Sequence, residues 1–469
     1  MVVGTKRFIG MLIGAVLTGD AAHAHAADQG FVLLLPTTAY ITGGTIAVAV
    51  TILLMFFLNT HQLARAFTPY DTGLPGRWFT PPRGFSLLAS AALAALIYIG
   101  LAGPTDPQAN LLPLTLWTVW WMALFVVQGV VCDVWRWINP WTGVFDTVFP
   151  DHKAPLVLPK SLSVWPAVLL FAAFMGFVLA DTAPNDPERL ATFALGYWLF
   201  TLTGMALFGR KAWLRQVECF TVLFGLIGNM RIAGGDRTLK LGVPGWQTFH
   251  GTRFDLSHAF FVLVLLAAGS FDGLHETFWW LGQLGINPLE YPGRTAMVQI
   301  TTLGLIGAIC LLTAVFAGAV WIGLRAVPVV DGQRAAGFAE AFIRFAIALL
   351  PIAIGYHFAH YFVTFLVQMQ VVVATLADPL AKGWNLFGLA QSRVMVGFLT
   401  VPQTVKLIWL TQAGIVVLAH ILSVILTHKT AETLCRTRAD VLKMQLGLSF
   451  LMVAYTVFGL WLLASPRGV

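Results

Sequence analysis

Two histidines stand one helical turn apart, His357 and His360, in an otherwise apolar stretch: LLPIAIGYHFAHYFVTFLVQMQ, residues 349–370. With Tyr361, Thr364 and Gln368 they recur every three or four residues. At about 100° per residue they form one polar stripe, opposite Leu349, Ile352, Phe362 and Val363. The next apolar run carries a second stripe of Gln412, His420, Ser423 and Thr427. Two His at i, i+3 can share a metal ion, and a third from a neighbouring helix would leave an open coordination position. A zinc or copper ion held by His357, His360 and His420 could activate water at neutral pH. The same imidazoles could instead hydrogen-bond neighbouring helices and serve packing alone.

A second constellation is SFDGLHETFWW, residues 270–280. Asp272, His275 and Glu276 could bind a metal or act as acid and base at the mouth of a cavity. The bland alternative is a polar turn anchored by Trp279 and Trp280. The catalytic candidates are therefore His357, His360, Tyr361 and Asp272, and the metal candidates His357, His360, His420 and His275. A third possibility, copper held by His23 and His25 at a processed N-terminus, competes with removal of both in a leader peptide. Glu340 and Arg344 read as an i, i+4 ion pair, or as a proton or anion relay. P-loop, GxSxG, HExxH and Rossmann patterns do not occur, so nucleotide hydrolysis and serine-hydrolase chemistry have no sequence support.

What must position these residues is a bundle of membrane helices. Hydrophobic residues make up 58% of the 469 and charged residues 10%, against about 25% charged in a soluble domain. A chain this apolar requires the bilayer as solvent. Its net charge of +7 resides in loops, where it sets orientation and does not point to nucleic acid. Residues 1–26 have the charged, apolar and small-residue segments of a signal peptide, and 27–469 form one integral membrane domain. Ten spans are expected, near 39–58, 85–102, 111–131, 163–180, 190–208, 256–271, 296–323, 341–366, 405–427 and 444–464, the eighth bent at Pro351. The fold class is all-α, a polytopic bundle. Basic residues concentrate in alternate loops, 59–84, 132–162, 209–255 and 428–443. This predicts that these are cytoplasmic and that both ends of the mature chain lie on the other side of an inner membrane.

The segment 211–231 is apolar with basic flanks and reads as a half-buried interfacial helix. The loop 367–404 could cap an outer opening. The tryptophans of LWTVWWM and CDVWRWINPW read as an interfacial belt. Cys132, Cys219, Cys310 and Cys435 show no ligand spacing and are expected to remain unpaired.

Four of these short motifs resemble a bacterial family of multi-pass membrane proteins, some of whose members are called fenitrothion hydrolase, a membrane-associated organophosphate hydrolase. They are Asn139-Pro140-Trp141 after the third span, Ser270-Phe271-Asp272-Gly273 with Trp279-Trp280, PIAIGYHFAHYF from Pro351, and DPLAKGWNLFG from Asp378. The resemblance runs from about residue 36 to 464. It implies hydrolysis of an apolar phosphotriester and a second subunit as partner, and brings no catalytic residue set with it. Residue chemistry alone leaves two other classes open: a proton-coupled or metal-ion transporter, and a membrane subunit of a larger complex.

Overall fold

The computed structural model describes residues 36–55, 57, 65–75, 83–235, 237–250, 253–290, 292–329, 335–388 and 394–467. The signal peptide and His23 and His25 lie outside them. The elements in chain order begin with α1 (Thr37–Met55), β1 (Tyr70–Pro75), α2 (Arg83–Ala102) and α3 (Leu111–Val130). Next come α4 (Trp135–Ile138), α5 (Thr142–Val148), α6 (Trp165–Ala180), α7 (Pro187–Phe208), α8 (Arg210–Gln216) and α9 (Cys219–Ile227). Then follow β2 (Ala233–Gly234), β3 (Thr238–Leu241), α10 (Leu256–Leu274), α11 (Phe278–Gln283) and α12 (Arg294–Ala326). The chain closes with α13 (Phe338–Ile347), α14 (Leu350–Leu376), α15 (Pro402–Leu434), α16 (Arg438–Met444) and α17 (Leu446–Ala464).

Among the described residues nine helices are long and apolar enough to cross a membrane, α13 and α14 counting as one. The tenth expected span is α6, at 16 residues, just under the length a crossing usually takes. Contacts between the connections agree with ten alternating crossings. The three strands form one antiparallel sheet, β1-β3-β2, joining two of the basic connections. On the opposite face Arg294 donates to the carbonyls of Val178, Leu179 and Asp181. The C-terminal Arg467 bridges Thr277 on that same face. The strand-bearing side is called the basic face below.

Two spans form the centre. In α10 and in α13–α14, 72% of the most apolar window is buried in protein, against 11% in α1 and 22% in α12. The latter two therefore present most of their surface to lipid. Asp255 starts α10 as its N-cap, accepting from the amides of Ser257 and His258. Burial opposes its charge, but hydrogen bonds with Ser163, Ser257 and His258 outweigh it and hold the carboxyl well below its ordinary range.

Two expectations fail here. Trp121, Trp135 and Trp141 are 3–5% exposed and do not form a belt; Trp120 and Trp121 pack edge-on against Phe174, and Trp120 also against Phe220 and Phe224. An indole's large apolar area suits a protein core as well as a headgroup layer. The segment 211–231 does not lie on the interface either. In α9 seven of the nine residues are buried, which is the signature of a helix apolar all round and enclosed by others. Its cap Glu218 is completely buried, accepting from the amides of Phe220 and Thr221 and from the Tyr197 hydroxyl. Of the stretch 367–404, Gln368 lines the cavity that opens on its face, and the described residues of 378–388 do not. By contrast Glu340 and Arg344 do form their ion pair, at 2.9 Å and half exposed, a contact worth little in stability.

The crossing of α12 with the α16–α17 junction needs two glycines. A Cβ on Gly323 would stand 1.9 Å from the Met444 carbonyl oxygen, and one on Gly447 2.1 Å from that of Ala319. Gly447→Ala should therefore force two backbones apart, at a cost of about 1–3 kcal/mol. It should lower the melting temperature of detergent-solubilised protein, followed by size-exclusion after heating. Gly307→Ala in the same α12, with open space around it, should leave that temperature unchanged or slightly raised.

Candidate functional site

The site begins with a break in the longest buried span. Pro351 has no N–H to give the preceding turn, and its ring excludes a straight helix there. The chain accordingly turns at 348–349, between α13 and α14, with Pro351 in the first turn of α14. The Ala348 carbonyl freed by this break accepts from Ser423 Oγ of α15 at 2.6 Å. Further along, Gln412 Nε2 of α15 donates to the Ala359 carbonyl at 2.6 Å. Two members of the α15 stripe thus hold α14 in place.

From that fixed helix the α14 stripe faces α10 and α3. Tyr361 donates to Asp272 Oδ2 at 2.5 Å, and His360 Nε2 lies 3.1 Å from the same oxygen. Asp272 sits in the last turn of α10 with its side chain 13% exposed. The two separate constellations of the sequence are therefore one cluster. A carboxylate taken out of water costs several kcal/mol unless it is paired and hydrogen-bonded, and both conditions are met here by α14. A ring nitrogen facing a carboxylate carries the proton, so the neutral His360 ring has its lone pair on Nδ1.

His357 is held differently. Its Nε2 donates to the Trp121 carbonyl at 2.9 Å, and its ring stacks on Phe125 with centroids 3.9 Å apart. The carbonyl belongs to a stretch of α3, Thr115–Leu124, wound as a π-helix. Such winding in the middle of a helix commonly accompanies functional sites. His420 hydrogen-bonds its own helix through Nδ1 to Val416 O and lies beside Tyr455, away from the Asp272 cluster. His275 Nδ1 contacts the carbonyls of Phe271 and Asp272, and its Nε2 is 3.8 Å from Glu276.

The proposed metal donors are consequently not gathered. Among the described residues no group of three or more His, Cys, Asp and Glu side chains is placed to hold a metal ion. His357 and His360 face different partners although they are one turn apart. No chemical step is therefore assigned to a metal.

Two spaces adjoin the cluster. One is a cavity of about 230 Å³ on the face opposite the basic one, lined by Asp272, Glu276, Arg294, Tyr361, Thr364 and Gln368 among others. The other is an enclosure of about 20 Å³ lined by Tyr356, His357, His360, Tyr361 and Asp272, room for about one water. His360 Nδ1 and the Tyr356 hydroxyl are buried and have no hydrogen-bond partner among the described residues. Trp121, Asp272 and Tyr361 line both spaces, so the partition is one layer of side chains. On the basic face a larger cavity of about 670 Å³ reaches Ile347 and Ala348 at the helix break. From Ala348 to Ala353, which lines the enclosure, is about 7.5 Å along a helix.

Sequence reasoning missed Tyr356, although it stands four residues before His360 and so on the same face. It also missed the Trp121 carbonyl, for which no side-chain type gives a signal. No family model, curated protein or solved structure matches the chain.

Gly273 is the glycine this cluster needs. A Cβ there would meet the Tyr356 hydroxyl oxygen at 1.9 Å, while the ring carbon behind it is 3.2 Å away. Gly273→Ala should destabilise by about 1–3 kcal/mol. Tyr356→Phe should relieve most of that loss in the double variant, because it removes the clashing atom. Thermal melts of the four proteins in one detergent measure the coupling; additive losses would contradict this packing.

Proposed function

We propose that this multi-pass membrane protein is a proton-coupled transporter whose proton-carrying group is the Asp272–His360 pair. The observation that carries the reading is the position of the pair: between a cavity on one face and a water-sized enclosure beside a broken helix. The unloaded pair is a carboxylate with a neutral imidazole donating from Nε2. One proton taken onto Nδ1 gives the imidazolium, whose charge Asp272 balances. Release of the same proton restores the starting state. Tyr361, donating to Asp272 Oδ2, keeps the carboxylate hydrogen-bonded in both states.

Access from the other face requires only the short segment between Ala348 and Ala353 to yield. Helix interruptions near the bilayer midplane, each half moving against its neighbours, are how many transporters expose one site alternately to two sides. The break at 348–351, with basic-face solvent already reaching Ala348, supplies such a point. The polar stripes expected on α14 and α15 serve this arrangement, one forming the site and the other bracing it.

A second reading is hydrolysis of a phosphotriester, as the resemblance to fenitrothion hydrolases implies. The 230 Å³ cavity, with Asp272, Glu276 and Tyr361 in its wall, favours it. Against it stands the placement of the base: His360 lines the water-sized enclosure and not that cavity.

Proteoliposomes containing a trapped pH dye, with the potential clamped by potassium and valinomycin, separate the two. Protein-dependent proton entry should fall by roughly 100-fold in Asp272→Asn and in His360→Gln, the lower end of what a positioned acid–base group contributes. Unchanged entry in both variants, with folded protein confirmed, would overturn the transport reading. Turnover of a phosphotriester by purified protein in detergent, abolished by Asp272→Asn, would establish the second.

A further inference from the structure

Away from this site, a cavity of about 420 Å³ lies on the basic face where α2, α4, α5 and α8 meet. Five cationic side chains line it: Arg83, Arg136, Arg210, Lys211 and Arg215. Among the described residues the one carboxylate in its wall is Asp146, which pairs with Arg210. The floor is rigid. Ser86 Oγ donates to the Asn139 carbonyl and accepts from the Gly143 amide. Asn139 is itself tied to Thr221 and to the amides of Trp141 and Thr142. A Cβ on Gly143 would meet Ser86 and the Leu87 amide nitrogen at 2.9 Å, so α5 seats directly on α2.

We infer that this cavity binds the phosphate group of an anionic phospholipid. Charge and chemistry favour phosphate: four arginines line the cavity, Arg210 of them paired with Asp146, and a guanidinium matches a phosphate's oxygens two at a time. Depth specifies the lipid. Arg83 opens α2, and Arg210 stands one residue beyond the end of α7, so these two cations stand at the ends of two spans, where headgroups lie. In the adjoining turns of α2 and α7, Phe85, Leu88 and Leu207 are 44%, 68% and 40% exposed, apolar surface available to acyl chains. Basic pockets between membrane helices recognise anionic headgroups by this combination. Soluble phosphate shares the chemistry of the first contact and lacks the second.

Native mass spectrometry of the full chain in detergent, titrated with dioleoyl phosphatidylglycerol or dioleoyl phosphatidylcholine, tests this. A one-to-one phosphatidylglycerol adduct should form where phosphatidylcholine gives none. Arg83→Gln with Arg215→Gln should weaken it by about 25-fold, roughly a factor of five for each cation lost at a membrane surface. Lys153→Gln with Lys160→Gln removes the same charge from the same face outside the cavity and should change nothing. Equal weakening by both pairs would reduce the effect to the general charge of this face and overturn the site. Displacement of the lipid by millimolar inorganic phosphate would overturn the lipid assignment in favour of a soluble phosphate. Should the cavity variant fail to fold, photo-crosslinking of wild-type protein with a diazirine-tailed phosphatidylglycerol decides. Labels at Phe85, Leu88 or Leu207 support the site, and labels confined elsewhere reject it.

Discussion

A carboxylate inside an apolar helix bundle has to be satisfied by the bundle, and much of this fold follows from that requirement at Asp272. Its side chain is mostly covered by protein, at 13% exposure. The partners come from α14, as a phenol and an imidazole on one oxygen. That fixes the rotation of α14 about its axis, because a turn of one residue would carry both groups away. Once its rotation is set, His357 necessarily faces α3, and the Trp121 carbonyl in the π-wound stretch receives its N–H. Three spans are thus locked together through one charged group and two histidines with different duties.

The same helix is held again at its break. Proline removes a donor, and a carbonyl left open in hydrocarbon is expensive. Ser423 closes that account at Ala348. A hydroxyl bound to a carbonyl is a weak tie, averaging about 0.6 kcal/mol between membrane helices. α14 is therefore held through a charged group on α10 at Asp272 and by a weaker tie to α15 at 348.

Much of this was legible. Apolar runs mark the spans because hydrocarbon leaves the backbone no alternative to helix, and the polar stripe on 357–368 does face the interior. The union of Asp272 with Tyr361 was not legible, since they are 89 residues apart and spacing says nothing about which spans adjoin. The tryptophans misled for a related reason: an indole in a belt and an indole in a core have the same sequence context, and only Phe174, Phe220 and Phe224 as neighbours distinguish them. For 211–231 the basic flanks suggested an interface, while the uniformly apolar interior of α9 already argued for enclosure. The π-winding of Thr115–Leu124 had no signal in residue type.

The cavities have an electrical consequence. A membrane voltage falls across insulating material, and aqueous recesses concentrate the field lines in whatever lies between them. Here one recess reaches Tyr361 from one side and the other reaches Ala348, some 20 Å along the helix axis, against about 30 Å of hydrocarbon. The drop is therefore concentrated over the stretch of α14 between Ala348 and Tyr361. A full crossing is worth about 2.3 kcal/mol per charge for each 100 mV. A proton carried on His360, as the transport reading requires, would therefore feel the voltage as well as the acidity of the solution, and the buried stretch between the two recesses is where the potential would perform its work.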